Sequence, residues 1–298
     1  TLSKRRPGRS PQLFRDIQEC LVDITRRLSA SGVADSRHEA YLLLQHFTGW
    51  TLTELLCGLQ TPLSPDIQSA VEEALGRRLR REPLQHITGS TGFYGRDFAV
   101  DHRVLIPRPE TEILVERVIS HFSGVQRPLR LLDVGTGSGV IAITLACELS
   151  HASVDAVDIS LEAIGVAQTN TRLHRVEDRV NLVHADLGTA FGRAYDSVVA
   201  NLPYIPTRDW AYLQPEVRLW EPARALDGGT DGLALVRRLC TQAPSLLLPG
   251  GLLLMEIGEG QADGLERCLR LSGRWSDIRV DPDLAGIRRV VSARLNRE

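Results

Sequence analysis

The chain has 298 residues, of which 43% are hydrophobic and 24% charged, the ordinary make-up of a globular protein of one or two domains. A formal net charge of −2 gives no reason to expect a polyanionic partner, and the longest apolar run, SLLLPGGLLLMEI, is broken by proline and glycine, so no membrane-spanning helix is expected. Five scattered cysteines without a CxxC pair, and eight dispersed histidines, argue against a disulfide framework and a metal site; three of the cysteines sit in helix-like apolar patterns, which suits free buried thiols in a reducing compartment.

Residues 1–10, TLSKRRPGRS, are basic with no apolar segment behind them, so a disordered arm rather than a secretory signal is expected. Lys4 is the only lysine; arginine supplies every other basic side chain, and the run GRRLRRE at 76–82 reads as the solvated face of a helix. Residues 11–83 read as a small helical bundle. LFRDIQECLVDITRRL and SRHEAYLLLQHFTG carry apolar residues at three- and four-residue spacing, TLTELLCG is a short helix, and Ser64-Pro65 is an N-cap and first-turn pair, with Pro83 closing the last helix. Residues 84–107, with FYGRDFAV and HRVLI between glycines, read as a β-hairpin connector. A helix is expected to open at Pro109 in PETEILVERVISHF, as the start of a third region, 108–298.

From residue 129 strands and helices alternate. LRLLDVG, SVDAVDI, VNLVHADL, YDSVVAN and GGLLLMEI are strands, and GVIAITLACEL, SLEAIGVAQTNTRLH and GLALVRRLCTQAPSLL are helices, which implies a doubly wound, mostly parallel α/β sheet. SDIRVDPD and DLAGIRRVVSARL are expected to add an antiparallel pair near the C-terminus.

The turn after the first strand, Gly135-Thr136-Gly137-Ser138-Gly139, leads into a helix, and Asp158 follows Gly139 by 19 residues, at the end of the second strand. Glycines there allow a sharp turn and close approach of a ligand, and a carboxylate at that second position accepts both hydroxyls of a ribose. The spacing is GxGxG rather than GxGxxG, Asp133 precedes the loop and no basic residue lies within it, which disfavours a pyrophosphate. S-adenosylmethionine, with an amino-acid group and a sulfonium, tolerates that acidity. Asp186, in HADL at the third strand's end, is placed to receive the adenine amino group.

VANLPYIP then raises its own chemistry. A planar amide or aromatic amine is a poor nucleophile because its lone pair is delocalised. Two acceptors that hold its N–H groups, the Asn201 side-chain oxygen and the Leu202 carbonyl, aim that lone pair at a methyl donor. Leu202 precedes Pro203 and is therefore held extended, and Tyr204 can stack on the planar group.

LLDVGTGSG, DAVDIS, HADL and VANLPYIP, with VLIPRPETEILVE before them and EPARALDGGTDGL and MEIGEGQ after, resemble the HemK-type glutamine methyltransferases that modify peptide-chain release factors. The resemblance runs from about residue 85 to the end, and the preceding helical region agrees in position. It implies a Rossmann-like methyltransferase sheet behind a small all-α domain. It also implies transfer from S-adenosyl-L-methionine to the side-chain amide of the glutamine in the Gly-Gly-Gln loop of class 1 release factors. By that resemblance Gly135, Thr136, Gly137, Ser138, Gly139, Asp158, Ile159, Asp186 and Leu187 hold the cofactor together with Asn201, and Asn201, Leu202, Pro203 and Tyr204 hold the glutamine. The helical domain and connector would grip the protein substrate; a cytoplasmic monomer that touches neither membrane nor nucleic acid is expected. Arg108, Glu110 and Thr111 of the IPRPETE stretch are placed near the active site by the same resemblance. The family's usual residue at position 202 is proline. Because Asn-Leu-Pro-Tyr also occurs in ribosomal RNA adenine dimethyltransferases, an RNA or DNA adenine amino-methyltransferase is the alternative, and a non-catalytic cofactor-binding protein the next.

Overall fold

A computed structural model describes residues 14–297, so the expected basic arm at 1–10 lies outside the described residues. The chain divides into two compact units with the boundary between Thr88 and Gly89. Among the described residues no helix is long and apolar enough to cross a membrane.

The first unit is helical: α1 (Ile17–Ala30), α2 (Ser36–Thr48), α3 (Leu52–Cys57), α4 (Pro65–Leu79) and α5 (Leu84–Thr88). The starts follow side-chain chemistry. Asp16 and Ser64 accept from the backbone N–H groups of Glu19 and Ile67, and Thr51 and Glu54 form a reciprocal capping box. Ile17, Ile24, Leu28, Leu43, Leu44, Leu55 and Leu75 fill its core. The Arg27 guanidinium grips both carboxylate oxygens of Glu72 at 2.7 Å, tying α1 to α4.

The second unit opens with a hairpin of β1 (Ser90–Phe93) and β2 (Arg96–Ala99), and continues through α6 (Thr111–Phe122), β3 (Leu129–Val134), α7 (Val140–Glu148), β4 (Ala152–Asp158) and α8 (Leu161–Leu173). Then come β5 (Val180–His184), β6 (Tyr195–Asn201), α9 (Pro215–Trp220), α10 (Ala234–Leu246), β7 (Leu247–Glu256), α11 (Ala262–Leu271), β8 (Trp275–Pro282) and β9 (Arg288–Leu295). Seven strands form one sheet in the order β5-β4-β3-β6-β7-β9-β8, parallel up to β7, with β9 antiparallel to both β7 and β8. Alternate residues of each central strand enter opposite apolar layers: Leu132, Val134, Val198 and Met255 on one face, Leu131, Val199, Leu252 and Leu254 on the other.

Three details depart from expectation. Residues 84–88 are helix rather than connector, because the Pro83 carbonyl accepts from His86 and Ile87 and so opens a turn instead of closing one. The helix after the connector begins at Thr111, two residues beyond Pro109, whose carbonyl still accepts from Glu112 N at 3.0 Å. Cys20 and Cys240 are buried, whereas Cys57 is exposed and Cys147 and Cys268 are intermediate.

One buried side chain joins the pieces around the first βα turn. Asn170 of α8 accepts from Ala99 N at 2.8 Å and donates to the Ala99 carbonyl at 3.0 Å and the Ser138 carbonyl at 2.8 Å. Asn170→Ala leaves those buried groups without partners, and urea unfolding is expected to show a loss of about 2–4 kcal/mol. A loss below about 0.5 kcal/mol would contradict this bridging role.

Candidate active site

β3 and β6 are neighbours in the sheet, yet the chain runs outward from β3 through β4 to β5 before returning to β6. That reversal opens a crevice at the carboxyl ends of the strands. A cavity of about 460 Å³ lies there, and Gly135–Ser138 after β3, the end of β4, Ala185–Leu187 and Asn201–Pro203 all line it.

The two central loops are fitted to each other. Val134 is in register with Ala200, so Gly135 leaves the sheet beside Asn201. Gly135 has φ +78°, and a Cβ there would sit 2.9 Å from Leu202 Cδ2. Only glycine suits that turn. The Leu202 side chain is correspondingly buried, packed beneath the loop with Val134, Val157 and Leu187.

Asp158 is held by two backbone donors, Gly137 N to Oδ2 at 2.9 Å and Ser160 N to Oδ1 at 2.8 Å. These bonds fix the carboxylate while leaving lone pairs toward the cavity. Burial raises its pKa against those hydrogen bonds. Asp133, beneath the loop, accepts from Thr136 Oγ at 2.6 Å and Ala142 N at 3.2 Å, and burial pushes it up to about 7. Ile159 is exposed over the cavity, its carbonyl 2.9 Å from His184 Nε2. Asp186 lines the cavity, but its Oδ2 is 2.6 Å from the Arg238 guanidinium, a pairing that a reading of HADL in isolation does not foresee.

A second network lies behind Asn201. Asn201 and Glu256 are register partners on β6 and β7, and Thr111, first residue of α6, stands between their side chains. Asn201 Nδ2 donates to Thr111 Oγ at 3.0 Å, Thr111 Oγ donates to Glu256 Oε2 at 2.6 Å, and the Tyr204 hydroxyl donates to Glu256 Oε1 at 3.3 Å. Glu256 is 1% exposed, and burial pushes its carboxyl up to about 7. The Tyr204 hydroxyl is raised in turn, by burial and by the nearby Glu256.

The turn that follows Asn201 is clamped from behind. Gln261 donates to the Tyr204 carbonyl at 2.7 Å while accepting from Gly258 N at 2.8 Å. Gly232, at φ +77°, would place a Cβ 2.1 Å from the same carbonyl, so no side chain fits there. Arg108 pairs with the buried Glu221, whose other oxygen accepts from Ile106 N at 3.2 Å. Arg108 and Thr111 both line the cavity, whereas Glu110 stands outside it at the N-cap position of α6, without a side-chain capping bond.

Gly135–Ser138, Asp158, Ile159, Asp186, Leu187 and Asn201–Pro203 meet at one cavity, whereas Gly139 packs against Ile143 and Ala167 instead of lining it, and Tyr204, also outside the lining, turns its hydroxyl toward Glu256. The sequence placed Thr111 near the site only by resemblance and gave no role to Thr111, Asn170, Glu256 or Gln261 within it. Their partners in these bonds lie 32 to 145 residues away, so local pattern carries no trace of them.

The donor set fits an adenosyl sulfonium. Asp158 offers fixed acceptors to a ribose, Asp186 Oδ1 offers one to an exocyclic amine, and a Cβ built on Gly137 would meet nothing within 4 Å, leaving the floor open to a ligand. These residues would hold the nucleoside.

A family model described as the PrmC N-terminal domain matches residues 19–89, and one described as the methyltransferase small domain matches residues 109–213. The release factor glutamine methyltransferase of Geobacter sulfurreducens is 41% identical over 277 residues, 92% of this chain and 95% of that one. That of Koribacter versatilis is 42% identical over 282 residues, 93% and 98% of the two chains. Among solved structures, a methyltransferase from Pyrococcus furiosus shares the fold at 16% identity and a TM-score of 0.50, over 75% of this chain and 99% of that one.

The raised carboxyls have a consequence for stability. A carboxyl lifted from 4.5 to about 7, as at Glu256, favours folding when protonated; its contribution is complete below its unfolded value and is lost as pH rises through about 7. Glu256→Gln removes that loss. Urea titrations are expected to show the variant gaining on the wild type by about 1–3 kcal/mol between about pH 5 and about pH 8. A difference that stays constant with pH would contradict the burial assigned to Glu256.

Proposed function

Since the chain belongs to the release factor glutamine methyltransferase family, we propose that it methylates the side-chain amide nitrogen of the glutamine in the Gly-Gly-Gln loop of class 1 peptide-chain release factors. The observation that carries this reading is the meeting, at one switch point, of the Asp158-anchored glycine loop and an Asn201 amide whose nitrogen is already engaged by Thr111. S-adenosyl-L-methionine, when bound, would supply a methyl group on a sulfonium that departs as a neutral thioether, and the amide nitrogen that takes the methyl would release one N–H proton to water. Gly135–Gly139, Asp158, Ile159, Asp186 and Leu187 hold the cofactor, with Asn201 at the boundary between cofactor and substrate.

The protein's own part is orientation. Asn201 Oδ1, opposite the engaged Nδ2, and the Leu202 carbonyl accept from the two N–H groups of the target amide, so its nitrogen lone pair faces the methyl carbon. Pro203 holds Leu202 extended, and Tyr204, with its hydroxyl and carbonyl both tied back, presents a fixed face to the planar group. The buried Leu202 side chain packs against the glycine loop, which supports a role for its carbonyl alone and leaves the adenine alternative without a distinguishing contact. The helical unit serves as the grip on the protein substrate. The enzyme acts as a cytoplasmic monomer, and the net charge of −2 supports a site that needs no direct contact with nucleic acid.

Labelled S-adenosylmethionine offered with purified release factor, with the same factor carrying Ala at the loop glutamine, and with ribosomal RNA tests this reading. Label is expected in the intact factor alone; label in RNA, or equal label in both factors, would overturn it. Asn201→Ala is expected to lower kcat by about a hundredfold or more. Cofactor affinity by calorimetry should stay within a few-fold. Asp158→Ala should instead weaken the cofactor, by about 1.5–3 kcal/mol for each charge-assisted hydrogen bond lost. An Asp158→Ala enzyme with unchanged affinity would remove Asp158 from the cofactor site.

A further inference from the structure

We propose that Glu256, acting through Thr111, is a positioning residue that sets which end of the Asn201 amide faces the target, so that turnover requires Glu256 ionised. The inference rests on the methyl-transfer reading and assigns residues and a pH dependence that the reading itself does not contain.

An ionised carboxylate has acceptors only. Thr111 must therefore give its single proton to Glu256 Oε2, 2.6 Å away. What remains on Thr111 Oγ is acceptor lone pairs, which only a donor can fill, and Asn201 supplies its Nδ2 at 3.0 Å. With the nitrogen committed, Oδ1 points the other way, where an acceptor is needed to hold the target N–H. Protonated Glu256 can donate to Thr111 instead. The hydroxyl is then free to donate to Asn201, the amide can turn over, and an NH₂ group meets the substrate NH₂ group. Two donors face each other and the lone pair is no longer aimed.

Burial holds the Glu256 carboxyl near about 7, so this change falls within an accessible range. The groups around it are Tyr204, which donates to Oε1, Arg289 of β9, which favours ionisation, and Glu110 at the start of α6, which opposes it. Arg289 is itself 3.0 Å from Asp283, so it stabilises Glu256 only from a distance. Sign follows from these placements: kcat rises with pH through the Glu256 value and falls below it.

The experiment uses the full-length enzyme with Thr111→Val, near-isosteric and without a hydroxyl, and Thr111→Ser, which keeps the hydroxyl. Thr111→Val is expected to lower kcat by about tenfold or more and to flatten the acid limb of its pH profile, with cofactor affinity by calorimetry within about twofold. Thr111→Ser should restore both the rate, to within about threefold, and the acid limb. Should Thr111→Val not fold, Thr111→Ala carries the same expectations. A hydroxyl-free variant that keeps the wild-type acid limb, or a near-normal rate, would overturn the proposal.

A second readout needs no acceptor. The Asn201 side-chain NH₂ signal in a ¹⁵N spectrum, identified by its loss in Asn201→Asp, should move with the Glu256 titration in the wild type and stay still in Thr111→Val. A wild-type signal that does not move defeats the relay, whereas a moving signal with no methylated release factor defeats the proposed function and leaves the relay standing.

Discussion

A carboxylate can only accept hydrogen bonds, and at Glu256 that restriction propagates through the whole reaction centre. Its two oxygens take the Thr111 and Tyr204 hydroxyls, and through Thr111 they fix the orientation of Asn201. Two distant parts of the chain converge on it at the end of β7: the start of α6, and the end of β6 with its following turn. The sheet supplies the alignment, since Asn201 and Glu256 are register partners on adjacent strands. Burying a carboxyl costs stability whenever it ionises, so an orienting function and the most stable fold pull in opposite directions at this residue.

The cofactor side of the crevice is built on a different principle. There the backbone does the shaping, and side chains brace it from beneath. Asp158 and Asp133 receive N–H groups from the loop and from α7, Asn170 holds the Ser138 carbonyl, and Leu202 fills the space that the absent Cβ of Gly135 leaves. The last contact matters because it belongs to the substrate motif. The residue that offers its carbonyl to the target also packs its side chain under the cofactor loop, so movement of either loop is felt by the other. A leucine fills that pocket through its own buried side chain, which gives a physical reason for the departure from proline at position 202.

Much of this was legible in the sequence, and the reasons for success and failure differ by element. The apolar runs of the parallel strands, the capping residue at Ser64, and the turn at Gly135–Gly139 are local signals, and the structure places strands, helix start and loop accordingly. Residues 84–88 escape a local reading because proline signals the end of a helix, whereas the Pro83 carbonyl here starts a turn. Helices α9 and α11 went unassigned, although QADGLERCLRLS carries an apolar face at helical spacing. Within the site, residues that touch the ligand crevice stood out because loop, acid and Asn-Leu-Pro-Tyr turn have recognisable spacing. The residues that hold them in place did not. Thr111 and Glu256 were visible only as members of motifs, with no sign of their hydrogen bond across 145 positions, and the Arg238 partner of Asp186 lies 52 residues away. Sequence spacing reports what the backbone does locally; it does not report which side chains the sheet later sets side by side.

The central claim is about where hydrogens lie, and neutron diffraction from deuterated crystals of the protein at a pH above the Glu256 titration measures it most directly. Two deuterons are expected on the Asn201 nitrogen with one aimed at Thr111, a single deuteron from Thr111 aimed at Glu256, and none on the Glu256 carboxylate. An Asn201 oxygen turned toward Thr111, or a deuteron retained on Glu256 under those conditions, would contradict that claim.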